Sequence, residues 1–455
     1  MNPGASPHDA AMERAARLYA AGDLEGARSI CGEILRADAR HFFALHLLAT
    51  IAAREERWEE CLRHASDALA LDPRHVEVLC NRGAALRMLG RPAEALADYD
   101  RALALAPGKA EVLNNRGVAL AALNRHAEAI ACYDAALAIA AGYARAGFNR
   151  SVSRLVTGDF AGGWADHEYR WRGGDRPMRP PASAKPPWTG REDLRGKTVL
   201  LGAEQGLGDL IMCARYARLL RERGARVVLE THPPLKALLQ GLDGSDQVIA
   251  LGEPLPPHDY HVPIMSLPLA LGTRVETVPR DVPYVLAPPG HVERWRTRLG
   301  SAPRPLVGLA WSGSATLRND RNRSIPLAQL EALRAVDATF VCLQKEIRDA
   351  DRPHLGGGRP IVHFESRLAD FRDTAALAAL MDVVVSVDTS LAHLAGAMAR
   401  PTWILLPFSP DWRWLLGRDD SPWYPTARLF RQPRPGDWET PIRAVAEALR
   451  ALPGG

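Results

Sequence analysis

The 455-residue sequence predicts an all-helical array followed by an α/β region, and three observations carry that expectation. A 34-residue period runs through the first third. Two junctions of strand, loop and helix stand far apart, at residues 198–220 and 383–401. Short β-branched runs alternate with helical patterns over the rest, which implies parallel sheets.

The period comes first in the chain. Tyr99 and Tyr133 are 34 residues apart, as are Gly83 and Gly117, Ala95 and Ala129, Ala102 and Ala136, and Asn81 and Asn115. The register extends back through Ala49, Cys61, Ala68 and Pro73, and then through Ala15, Ala27, Ile34 and Ala39. Small residues in each unit let two antiparallel helices pack closely. The pattern resembles the tetratricopeptide repeat. Stacked repeats give an extended concave surface suited to a peptide or another protein. A broken unit at 148–171 departs from the pattern at Gly162-Gly163-Trp164 and Tyr169-Arg170-Trp171. It is expected to cap the array, with Trp164 and Trp171 as packing residues or as substrate contacts. Pro177, Pro180, Pro181, Pro186 and Pro187 then mark a linker over 173–196, pinned at Trp188.

At the first junction an apolar strand enters a loop holding Gly206 and Gly208, and Asp209 opens a helix. The glycines permit positive φ and close approach to a ligand, and a carboxylate at a helix start suits the dipole. A plain N-cap is the other reading. At the second junction the strand Val383–Val387 meets Asp388-Thr389-Ser390, and a small-residue helix follows. Its opening N–H groups form a phosphate site, or Asp388 or Ser390 merely caps it. Further strands are expected at 226–230, 247–250, 260–262, 305–311, 339–343, 361–363 and 402–406, with a last helix at 441–452. Pro279, Pro283, Pro288 and Pro289 suggest a hinge.

The two junctions together, over residues 197–451, resemble glycosyltransferase family 9, the lipopolysaccharide heptosyltransferase type. The matching motifs are Gly208-Asp209 and Asp388-Thr389-Ser390-Leu391-Ala392-His393, with Ser390 where those enzymes commonly carry glycine. The resemblance implies a GT-B module of two Rossmann-like domains and a nucleotide-sugar as substrate, with no cofactor. It makes Asp209 the general base. Leaving-group charge would fall on the helix at Leu391 and on Arg323, which precedes Ser324-Ile325-Pro326 as the heptosyltransferase basic residue does; Arg318 and Arg321 are alternatives. His393 is a donor contact or a core histidine. Ser312 and Gly313 line the loop after the strand at 305–311. Gln344 and Lys345 suit a ribose or base. His261 and Ser266 are placed toward the acceptor, and Trp412 either stacks on sugar or covers the sheet. Repeats joined to a GT-B module also look like the protein O-GlcNAc transferases, which makes a protein acceptor credible.

These readings divide the chain into repeats with cap (1–172), linker (173–196), an acceptor-side domain (197–300) and a donor domain (301–455). Composition agrees with a multidomain globular protein: 47% apolar and 24% charged residues. The net charge of +4 comes from scattered arginines, which gives nucleic-acid binding no support. Six cysteines form no C-x-x-C and lack a histidine at metal spacing. No apolar run is long enough to span a membrane, and the start lacks the form of a signal peptide, so a cytoplasmic location is expected. Gly190 to Thr198 imitates a Walker A with one residue too many and precedes its strand. Asp98-Tyr99-Asp100 and Asp349-Ala350-Asp351 are not at strand ends, so no catalytic metal is expected. Two functions of different kind remain: a metal-independent glycosyltransferase whose repeats choose a protein or glycan acceptor, or a repeat scaffold whose GT-B module binds nucleotide without turnover, or is inactive.

Overall fold

The computed structural model describes residues 7–172, 183–316, 319–356, 359–364 and 367–452. Its contacts divide the chain into two units, Met1–Ser153 and Arg154–Gly455. The division falls before the expected residue 172 for a reason of packing. Phe160 stacks on Trp423 at 6.2 Å, and Trp164 meets Trp412 edge-on at 5.1 Å, so helix Phe160–His167 belongs to the second unit.

The first unit pairs helices Pro7–Ala21 with Leu24–Ala37, Phe42–Arg54 with Trp58–Leu71, Val76–Met88 with Pro92–Leu105, and Ala110–Ala122 with His126–Ile139, and Ala144–Val156 follows. The periodic glycines have a steric cause. A Cβ on Gly83 would lie 2.8 Å from the Tyr99 ring, and one on Gly117 2.5 Å from the Tyr133 ring. Both tyrosines are buried, as are Ala49, Cys61, Ala68, Ala95 and Ala102, which share one core.

A second periodicity lies in the backbone. Gly22, Glu56, Gly90, Asn124 and Gly158, each 34 residues after the last, have φ of 87°, 58°, 78°, 57° and 90°. Each follows the first helix of its pair, where a left-handed residue closes the helix. Glutamate carries a Cβ penalty there that glycine does not. Glu56→Gly is therefore expected to stabilise the chain by about 0.5–1 kcal/mol, the relieved strain less the extra freedom of glycine in the unfolded state. Gly90→Ala is expected to cost about 1 kcal/mol. Urea midpoints followed by circular dichroism check the pair, and a lower midpoint for Glu56→Gly would refute the assignment.

The second unit holds two parallel sheets. Strands β1 (Thr198–Gly202), β2 (Arg226–Thr231), β3 (Gln247–Ala250) and β4 (Tyr260–Pro263) lie in the order β3-β2-β1-β4. Strands β5 (Leu306–Ala310), β6 (Thr339–Cys342), β7 (Val383–Val387), β8 (Thr402–Leu406) and β9 (Ala427–Arg431) lie in the order β6-β5-β7-β8-β9. Every residue of β5, β7 and β8 is buried, which is why these read as unbroken apolar runs. The expected strand at 361–363 is a single bridge from Val362 to Val341. Strand β9 escaped the sequence reading because it lies at the sheet edge and carries an exposed arginine at 428. The last helix is Glu439–Arg450.

The first sheet ends earlier than the expected residue 300. Helix Pro289–Leu299 packs on helix Phe371–Ala379 of the second sheet, and buried Trp295 donates its Nε1–H to Asp373 Oδ1 at 2.9 Å. Ten residues of the expected linker, 173–182, fall outside the described ones. Trp188 is buried and donates its N–H to the His261 carbonyl at 2.8 Å. Among the described residues no helix is long and apolar enough to cross a membrane, and no group of three His, Cys, Asp or Glu could hold a metal ion.

Candidate functional site

Each sheet reverses its strand order once, between β1 and β4 and between β5 and β7. Ligands of open parallel sheets lie beyond the carboxyl ends of strands at such reversals. The loops leaving β1, β5 and β7 carry Gly206 to Asp209, Ser312 with Gly313, and Asp388 to Ser390.

The first and third of these loops are in contact. A Cβ on Gly208 would lie 2.7 Å from His393 Cδ2 and 3.5 Å from Ser390 Cα, so helices Leu207–Ala214 and Ser390–Ala397 meet at their opening turns. This changes the role expected of the glycines. Gly206 has φ −91°, Gly208 is likewise not positive, and the left-handed residue of the loop is Gln205 at 59°. Gly208 is small because another helix, not a ligand, approaches it.

Asp209 accepts the Gly206 N–H on Oδ2 at 2.7 Å, and its Oδ1 accepts from the Arg413 guanidinium. Arg413 also donates to Asp411 Oδ1 at 2.6 Å and lies 4.2 Å over the Trp412 ring. Burial works against its charge, but Asp209, Asp411 and Asp388 outweigh it and hold the guanidinium protonated. The sequence reading missed this residue. It sits between Trp412 and Trp414, in a stretch that reads as aromatic cover.

The second loop meets the third through Arg323. Its guanidinium donates to the Asp388 carbonyl at 2.9 Å and lies where a Cβ on Gly313 would be, 2.4 Å away. Arg348, also missed, donates to the Gly313 carbonyl at 3.0 Å and to Asp320. Thr389 precedes the helix with its hydroxyl 3.2 Å from Ser386 Oγ, Ser390 is the first helical residue, and Leu391 is buried. His393 is buried against Trp414 at 5.3 Å, with Nδ1 2.9 Å from the Tyr424 hydroxyl. Burial, then Arg413 and Arg215, hold it neutral.

Four expected contacts are engaged with the protein itself. Ser266 is buried, accepting from Arg170 at 2.7 Å and donating to Glu168 at 2.8 Å, because Arg170 ties the capping segment to Glu204. His261 pairs with Leu200 in mid-strand and is bridged to Pro187, away from the carboxyl end of β4. Gln344 spends its amide on Trp311 N, Ser312 N and Ser312 Oγ, holding β5 to the segment after β6. Trp412 is buried between Trp164 and Trp423, with no face open to a sugar. Lys345 is exposed and reaches the Ala369 carbonyl at 3.4 Å. Arg318 lies outside the described residues.

Comparison with known proteins agrees with the first unit. Residues 76–109 and 110–143 each match the tetratricopeptide repeat. The chain carries tetratricopeptide repeats. It is 29% identical over 330 residues to Protein FlbA of Caulobacter vibrioides (strain ATCC 19089 / CIP 103742 / CB 15), covering 65% of this chain and 53% of that protein. The chain thus spans about half the length of the curated relative it matches. Among solved structures it is similar to the MamA protein (20% identity, TM-score 0.32, 36% of this chain and 87% of that one). It is also similar to YrrB, a TPR protein with an unusual peptide-binding site (21%, 0.32, 35% and 82%). A third is PilW, a type IV pilus biogenesis factor (20%, 0.34, 37% and 78%).

Asp388 gives the site a measurable signature. Burial first, then Asp411, push its carboxyl up to about 6 from 3.8, against Arg413 and Arg323. A carboxyl raised in the folded state adds stability in acid that is lost as pH rises through about 6. Above that, keeping it ionised costs on the order of 2–3 kcal/mol. Asp388→Asn should therefore raise the melting temperature more at pH 8 than at pH 5. Equal shifts at the two pH values would show that Asp388 is not held in this way.

Proposed function

We propose that the second unit is a GT-B glycosyltransferase of two Rossmann-like halves. It moves a sugar from a nucleotide-sugar to a protein or glycan acceptor chosen by the repeats, without a metal. The observation that carries this reading is the meeting of Asp209, the Gly313–Arg323 contact and the helix Ser390–Ala397 beside the two strand-order reversals. The motif resemblance to family 9 supports it independently.

In this reading the donor diphosphate lies on the Arg323 guanidinium and the opening N–H groups of helix Ser390–Ala397. Their fixed positive charge stabilises the leaving group as it forms. Asp209 takes the proton of the acceptor hydroxyl. The acceptor oxygen bonds to the anomeric carbon as the bond from that carbon to the diphosphate breaks. The Gly206 N–H fixes the Asp209 carboxylate.

Arg323→Ala removes one charge-assisted contact and should weaken binding of the preferred donor by about 1.5–3 kcal/mol. That donor is found by a thermal-shift screen with ADP-, GDP- and UDP-sugars, where a ligand at 100 times its dissociation constant adds ~2.7 kcal/mol. Unchanged affinity by calorimetry removes Arg323 from the site.

Asp209→Asn keeps the helix start but cannot accept a proton. Turnover should fall by ~10²–10⁴ without loss of donor affinity. Normal turnover in the variant means another group is the base. The second reading, a scaffold module without turnover, is favoured by one feature: Asp209 is paired with Arg413. Donor binding with neither transfer nor hydrolysis in the native chain would decide for it.

A further inference from the structure

Arg413 is at once the ion-pair partner of the proposed base and an incompletely bonded cation. Its side chain is 8% exposed. One terminal nitrogen serves Asp209 and the other serves Asp411, while Nε has no partner among the described residues. A buried guanidinium N–H without an acceptor is costly, and a structural ion pair does not require one. The residue also lies in the right place. Asp209 is in the turn after Gly208, whose Cα would place a methyl 3.5 Å from Ser390 Cα, at the start of helix Ser390–Ala397. His393 of that helix stacks on Trp414, the neighbour of Arg413.

We propose that Arg413 is a second cation for the donor diphosphate and the gate of Asp209. Arg413 holds Asp209, and an entering nucleoside diphosphate group draws it away, so that Asp209 meets an acceptor hydroxyl only once a donor is bound. The inference rests on the glycosyl-transfer reading. Its chemistry is competition between two anions for one guanidinium. A diphosphate offers the flat fork of an arginine several oxygens at once. Asp209 offers one, since its other oxygen is taken by the Gly206 N–H. Asp411 keeps the arginine anchored during the exchange.

The exchange makes a prediction of unusual sign. Asp209 competes with the diphosphate, so removing its charge should tighten nucleotide binding. The test is calorimetry of ADP, GDP and UDP on the full chain, native and Asp209→Asn, with Arg413→Gln and the double variant Asp209→Asn/Arg413→Gln. For the nucleotide that binds, Asp209→Asn should bind about 3–10-fold more tightly and Arg413→Gln about tenfold or more weakly, the loss of one charge-assisted contact. The double variant should be as weak as Arg413→Gln, its gain abolished. It also covers the risk that Arg413→Gln alone misfolds by leaving the partly buried Asp209 without its cation. If a nucleotide binds the native chain but Asp209→Asn binds it equally or less well, or the double variant keeps the gain, the gate is wrong and the glycosyl-transfer reading stands. If no nucleotide or nucleotide-sugar binds the native chain, that reading falls, and the gate with it.

Discussion

Two helices that meet at Gly208, with no room there for a side chain, set most of the chemistry of the second unit. Because Leu207–Ala214 and Ser390–Ala397 touch at their opening turns, the loops at the two strand-order reversals share one volume. Each opening turn carries a partial positive charge, and each brings a carboxylate, Asp209 in one case and Asp388 beside the other. A side chain at 208 would part the helices and separate those groups. The glycine pairs Gly83–Tyr99 and Gly117–Tyr133 do the same work in the repeats, where they bring helices together without any charge at the contact.

Close approach has an electrostatic consequence. Asp209, Asp411 and Asp388 surround Arg413, and Arg323 adds a second cation at the Asp388 backbone. Burial first, and the neighbouring Asp411 second, make Asp388 hold its proton to about 6 despite these two guanidinium groups. His393 adds no positive charge, since burial and two arginines keep it neutral. A site packed for stability alone would not keep a carboxyl whose ionisation opposes folding. Perturbed groups of this kind concentrate where binding or proton transfer is needed, which is the physical ground for reading the cluster as functional.

Much of this was legible in the sequence, for reasons that differ by element. Strands β5, β7 and β8 are buried on both faces, so their apolar runs are unbroken. The repeats were legible because a steric demand recurs at fixed spacing. Gly208-Asp209 and the 388–393 motif were found because their residues are adjacent in the chain. Arg413 was not, since its partner Asp209 is 204 residues away and its neighbours are tryptophans. Ser266 and Gln344 were read toward ligands, and Trp412 was left between sugar and sheet, for one common reason. A polar or aromatic residue at a strand end looks the same whether it faces a ligand or a neighbour. What decides is a distant side chain: Arg170 for Ser266, the Trp311–Ser312 backbone for Gln344, Trp164 for Trp412.

The capping segment is therefore part of the site's foundation rather than a joint outside it. Phe160 and Trp164 build one wall with Trp412 and Trp423, and Arg170 locks Glu204 at the end of β1. That wall includes two buried indole N–H groups, of Trp164 and Trp423, with no partner among the described residues. Their loss of hydration is a cost accepted in exchange for a dry floor beneath Arg413. In a dry floor an ion pair is strong, and an unpaired charge is expensive. On the reading proposed above, the arginine leaves Asp209 more readily for another anion than for water. The aromatic packing thus strengthens the Asp209–Arg413 pair from the side of Arg413, which is 8% exposed, while Asp209, 17% exposed, stays within reach of solvent.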